Sequence, residues 1–127
     1  MPNATVAPAL PTLLPDSPVI IRAIDTQISV DWQPVRPGTT FTGPQQRFYF
    51  FLDYREMRAG TLWEQRLLRD GQLVQAQTQL WGNLPPAGET FFFFGNSSGF
   101  AAGDYEIQIY LGETNVLLSR AQFTLLN

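Results

Sequence analysis

Between Gly103 and Leu125 the chain alternates apolar and polar residues at period two, broken by one short polar turn, and this pattern admits little except a β-hairpin. Tyr105, Ile107, Ile109 and Leu111 share one parity of the first arm. Leu117, Ala121, Phe123 and Leu125 share one parity of the second, with Gly112 to Asn115 as the turn. A Tyr near the start of a late strand, just after a Gly- and Ser-rich loop, suits a tyrosine corner. There the ring packs at the edge of a sandwich and the hydroxyl bonds backbone a few residues upstream. Tyr105 and Phe123 are therefore read as core.

Upstream the same period recurs between turn signals. Val19 to Ile24 reads as a first strand, and Ile28 to Trp32 as a second or as its continuation past a kink. Two prolines and a glycine at 34 to 38 make a loop. Phe41 reads as a plug from a loop into the core. Arg47 to Asp53 (RFYFFLD) is apolar on both parities, as expected of a strand covered on both sides. Thr61 to Arg69 and Gln72 to Leu80 flank Asp70-Gly71, a pair suited to a type I′ hairpin turn. Trp63, on the first arm, reads as a plug between sheets. Trp81 to Glu89 reads as a loop, and Thr90 to Phe94 as a short strand holding four consecutive Phe.

The pattern predicts an all-β, antiparallel, Greek-key sandwich of seven to eight strands with no helix. Composition agrees: Lys is absent, charged residues make up 15% and aromatics 13%. Residues 1 to 18 hold five of the ten prolines and read as a linker or disordered tail ahead of a domain at 19 to 127; packing of Leu13 and Leu14 on the domain edge is the other reading.

Several function classes drop out. With neither Cys nor His, the usual zinc ligands, Cys or His nucleophiles and a His base are missing. A net charge of −3 argues against nucleic acid, and no apolar run is long enough to cross a bilayer as a helix. Met1-Pro2-Asn3 has no basic leader pattern. No cofactor is expected. The carboxylates nearest turns, Asp53, Glu56, Asp104 and Glu106, read as solvated, and a carboxylate hydrolase is the remotest reading. The candidate interaction surface is Phe92 and Phe94, taken as the outward half of the Phe run, with Trp81 and Tyr110. Trp32, Trp81 and Tyr110 are also the candidate platforms for a glycan, although a lone Trp at a strand end is more often a lid on the core.

Taken together, Phe41, Phe51-Leu52-Asp53-Tyr54, Met57, Gly60, Trp63, Asp70-Gly71, Trp81, Gly88, Gly103-Asp104-Tyr105 and Phe123 resemble the immunoglobulin-like accessory domains of bacterial envelope and secreted proteins. Such domains are often appended, after a Pro/Thr linker, to membrane-anchored kinases or secreted enzymes. The resemblance covers roughly residues 19 to 126 and departs at Leu67, where a second aromatic is expected. It implies a non-catalytic, extracytoplasmic module of a larger protein, serving as spacer or protein-interaction domain. A carbohydrate-binding module is the alternative, and the partner is accordingly an unknown protein or glycan.

Overall fold

A computed structural model describes residues 12–13, 17–112, 114 and 116–127. Most of the Pro-rich stretch read as a linker lies outside the described residues. Its described part includes Thr12–Leu13 (β1), which pairs in parallel with the last strand at Val116 and Leu117.

The remaining strands are Val19–Asp25 (β2), Thr40–Thr42 (β3), Arg47–Arg55 (β4), Leu62–Arg69 (β5), Gln72–Leu80 (β6), Ala87–Gly95 (β7), Gly103–Leu111 (β8) and Val116–Leu126 (β9). They form two layers. One sheet runs β2-β4-β7, and the other runs β9-β8-β5-β6 with β1 and β3 along the outer edge of β9. Both of those added pairings are parallel, where the sequence reading had only antiparallel strands. No helix occurs among the described residues.

The core lies between the sheets. Phe48, Phe50, Leu52, Phe92 and Phe94 enter from the smaller sheet, and Trp63, Leu67, Tyr105, Ile107, Ile109, Phe123 and Leu125 from the larger. Phe48 sits at the middle of an aromatic cluster, with ring centroids 4.8 Å from Phe123, 4.9 Å from Phe100, 5.7 Å from Tyr105 and 5.9 Å from Phe41. The Tyr105 hydroxyl donates to the Ala101 carbonyl, the upstream backbone bond of a tyrosine corner, and its ring stacks on Phe123 at 5.1 Å. Asp70 (φ 50°) and Gly71 (φ 83°) both take the left-handed conformation that a type I′ turn requires.

Three local expectations change. Ile28 to Trp32 is not a strand: Ile28 makes only an isolated bridge to Pro34, and Trp32 has φ 64°. β7 begins at Ala87, taking in part of the stretch read as a loop. In β9 the pairing slips between Ile109/Ser119 and Tyr110/Leu117, so Leu118 is an extra residue. That bulge turns Leu118 into the core and sends Leu117 to the outer face, the opposite of the simple period-two reading.

Candidate functional site

The outer face of the smaller sheet is aromatic. β4 and β7 pair with Phe50 opposite Phe92 and Phe48 opposite Phe94, which fixes those four rings inward. Tyr49, Phe51, Phe91 and Phe93 therefore point out. Tyr49 and Phe51 are nonetheless buried, while Phe93 is 43% exposed. Tyr49 lies 6.2 Å from Phe91 and 5.7 Å from Phe93 between ring centroids, so the rings form one continuous surface. Arg47 lays its guanidinium 5.1 Å from the Phe93 centroid, and Arg22 lies 5.7 Å from that of Phe51. Both contacts are favourable cation–π pairs.

Trp32 crowns this surface. Its ring is parallel to Phe91 within 15° at 5.7 Å, yet the residue is 62% exposed. One indole face is thus supported and much of the remaining ring area meets solvent. The loop that carries it is held by a single carboxylate. Asp25, 1% exposed, accepts backbone N–H bonds from Thr26 (2.7 Å) and Gln27 (3.2 Å) on Oδ1, and from Val35 (2.7 Å) and Arg36 (2.6 Å) on Oδ2. Ser29 ties the loop across itself, donating from its N–H to the Gln33 carbonyl (2.8 Å) and accepting the Gln33 N–H on Oγ (3.0 Å). A bulky residue at positive φ is costly and persists only where its surroundings over-determine it. These bonds supply that constraint.

Beside Trp32 opens a cleft of about 450 Å³ with Arg22, Asp31, Gln33, Glu89 and Phe91 in its walls. Arg22 is its electrostatic centre. It donates to Gln33 Oε1 at 2.9 Å and pairs with Asp53 at 3.3 Å and Glu89 at 3.4 Å. Gln33 Nε2 donates to the same Glu89 oxygen at 3.2 Å. The cleft therefore offers an aromatic platform flanked by planar hydrogen-bonding groups. Such a platform can stack on a flat ligand face while Gln33, Glu89 and Arg22 hydrogen-bond to its edge.

Of the residues chosen from sequence as an interaction surface, none lies exposed. Phe92 and Phe94 are core residues, since their register partners Phe50 and Phe48 are core. Trp81 turns inward beyond the end of β6 and is sandwiched between Tyr54 at 4.9 Å and Trp63 at 5.0 Å. Tyr110 does lie on the outer parity of β8, but Arg66 covers its ring at 4.2 Å and its hydroxyl donates to Gln108 at 3.0 Å. Arg66 is itself fixed by two 3.0 Å bonds to Glu64, which raise its pKa. Burial likewise raises the pKa of Tyr110, partly opposed by the nearby Arg66 charge. Trp63, Tyr105 and Phe123 all sit in the core. Of the carboxylates, Asp104 accepts from Thr124 Oγ1 at 3.0 Å, and Glu106 from Gln108 at 2.6 Å and Gln122 at 3.2 Å.

The sequence held a signal for the surface it missed. Phe91 and Phe93 share parity with Glu89, and Tyr49 and Phe51 share parity with Asp53. A carboxylate seldom points into a core, so the parity that carries it marks the outward face.

Comparison with solved structures agrees with this two-layer arrangement. An immunoglobulin-like protein from Pseudomonas aeruginosa superposes with a TM-score of 0.53 at 16% identity, over 84% of this chain and 95% of that one. The fold is immunoglobulin-like. The CARDB domain of a Pyrococcus furiosus protein, solved in complex with di-metal ions, superposes at a TM-score of 0.46 with 13% identity, over 84% of each chain; a likeness of that size carries no argument about ligands. No family model and no curated protein matches the sequence.

Proposed function

We propose that this immunoglobulin-like domain is a non-catalytic accessory module, outside the cytoplasm and part of a larger bacterial protein, that contacts a protein partner through its aromatic face. The setting rests on the sequence resemblance. The contact surface rests on one observation: Trp32 and Phe93 stand 62% and 43% exposed on a connected bed of aromatic rings. Exposed aromatic patches of this kind mark interaction sites, and Trp and Arg are the residues that most often dominate binding. The test is selection of peptides from a displayed library on the wild-type domain, with the Trp32→Ala/Phe93→Ser double variant as counter-selection. Peptides that bind the wild type and lose at least tenfold in affinity on the variant support the reading. Enrichment indifferent to both residues overturns it.

A glycan ligand is the second reading, and the cleft beside Trp32 favours it. An indole face stacks on sugar C–H surfaces, while Arg22, Gln33 and Glu89 offer hydrogen bonds at its rim. Trp63 and Trp81 are buried, so Trp32 is the exposed reporter among the three. A saccharide that shifts Trp emission saturably, and fails to do so in Trp32→Ala, would select this reading over a protein partner.

A further inference from the structure

The borders of the two sheets are not treated alike. The free border of β7 is capped by side chains of β6: Gln75 Nε2 donates to the Gly95 carbonyl at 3.1 Å and Gln77 Nε2 to the Phe93 carbonyl at 3.2 Å. At the border of β2 the Ile21 N–H donates to Ser119 Oγ at 3.2 Å. β1 and β3 cover the edge of β9. The far border of β6 has no such cover: among the described residues, none pairs with it. The Trp81 N–H donates toward β5, to the Thr61 carbonyl at 2.7 Å. By alternation the N–H and C=O groups of Leu80, Thr78 and Ala76 face away from β5.

Edge strands are ordinarily blunted by Lys, Pro or charge. Gln72–Leu80 (QLVQAQTQL) has none of these. Its one irregularity is a bulge at Val74, where the pairing passes from Leu67/Gln75 to Leu68/Leu73, and Gln75 to Leu80 is regular beyond it. An uncharged edge matters most for self-pairing. Around a two-fold axis each residue meets the same short segment reversed, so a charge at or next to the axis would face its own copy at close range.

We infer that β6 pairs antiparallel with β6 of a second copy, about a two-fold axis through Gln77, joining the two larger sheets into one. This register puts Ala76 opposite Thr78, so the outward-facing backbone groups meet as hydrogen-bonded pairs. Gln75 then faces Gln79, and each Leu80, 63% exposed, comes to the Val74 end of the other strand, where Val74 is 37% exposed. The β6 edge adjoins the aromatic face at Phe93, whose carbonyl accepts from Gln77 at 3.2 Å, but its test reads association of the chain with itself through β6 variants, so its failure is distinguishable from that of the aromatic contact face.

The test uses the whole chain. Sedimentation should show a mass rising with concentration from 14.3 kDa toward its double. Thr78→Lys, on an exposed outward position, should weaken association at least tenfold with an unchanged melting temperature. Because the chain lacks Cys, single introductions report register cleanly. Gln77→Cys should form a symmetric intermolecular disulfide, since a non-hydrogen-bonded antiparallel pair brings Cα atoms to about 4.5 Å. Gln79→Cys should not, because its own copy lies four residues further along the strand. A chain that stays monomeric up to about 1 mM overturns the inference. So does crosslinking at 79 in preference to 77, or association indifferent to Thr78→Lys.

Discussion

Asp25→Asn is the sharpest probe of how this domain presents Trp32. The native carboxylate accepts four backbone N–H bonds, two on each oxygen, and stands 1% exposed at the end of β2. Asparagine keeps one oxygen and replaces the other with an NH2 group, which can only donate. In either amide orientation one pair of N–H groups, Thr26 with Gln27 or Val35 with Arg36, loses its acceptor and faces a donor. Hydrogen bonds to a charged acceptor contribute about 1.5–3 kcal/mol each, so two of them set an upper range of about 3–6 kcal/mol. Val35, Gln27 and Arg36 are exposed, and water can recover part of that loss. The expected destabilisation is therefore about 2–4 kcal/mol, measured by urea denaturation. The same substitution should loosen the Trp32 loop, read as faster iodide quenching of Trp emission in the folded state. A variant within about 0.5 kcal/mol of wild type, an ordinary surface effect, with unchanged quenching would show that the carboxylate does not hold the loop.

Tyr105→Phe removes the hydroxyl that donates to Ala101 and should cost about 1–3 kcal/mol in a matched denaturation curve; a neutral result would remove the tyrosine corner. Alkaline stability should fall for a related reason. Burial raises the folded-state pKa of Tyr105 and Tyr110 above the ordinary value of 10.0, against opposition from Arg69 and Arg66 respectively. A raised folded pKa gives stability that is complete below pH 10 and is lost as pH climbs from there through the folded value, because the unfolded phenol ionises first. The alkaline limb of a stability–pH curve should therefore be shallower in Tyr110→Phe than in wild type.

The C-terminal hairpin was legible because period two is unambiguous when one face is apolar and the other is not. Its bulge was not, since one extra residue among Val116-Leu117-Leu118 leaves no compositional mark. The Phe run failed for a different reason. Four identical side chains carry no parity of their own, and the choice between faces lay in the pairing with β4 and in Glu89. Ile28 to Trp32 alternates like a strand, but Asp25 and Ser29 offer their oxygens to nearby backbone N–H groups, and that local competition wins. The exposed platform was thus hidden in a segment whose pattern pointed to a different structure. Trp81 shows the converse: at a strand end it reads either as a platform or as a lid on the core, and only the fold, by bringing Tyr54 and Trp63 around it, decides for the lid.

The parallel pairing of β3 with β9 bears on how the domain answers tension. Thr40, Phe41 and Thr42 run alongside Thr124, Leu125 and Leu126, and Thr12 and Leu13 alongside Val116 and Leu117. Early and late segments of the chain thus point the same way side by side. A force that draws the two ends of the domain apart pulls neighbouring strands in opposite directions along their length. It therefore shears the inter-strand bonds together instead of peeling them one after another.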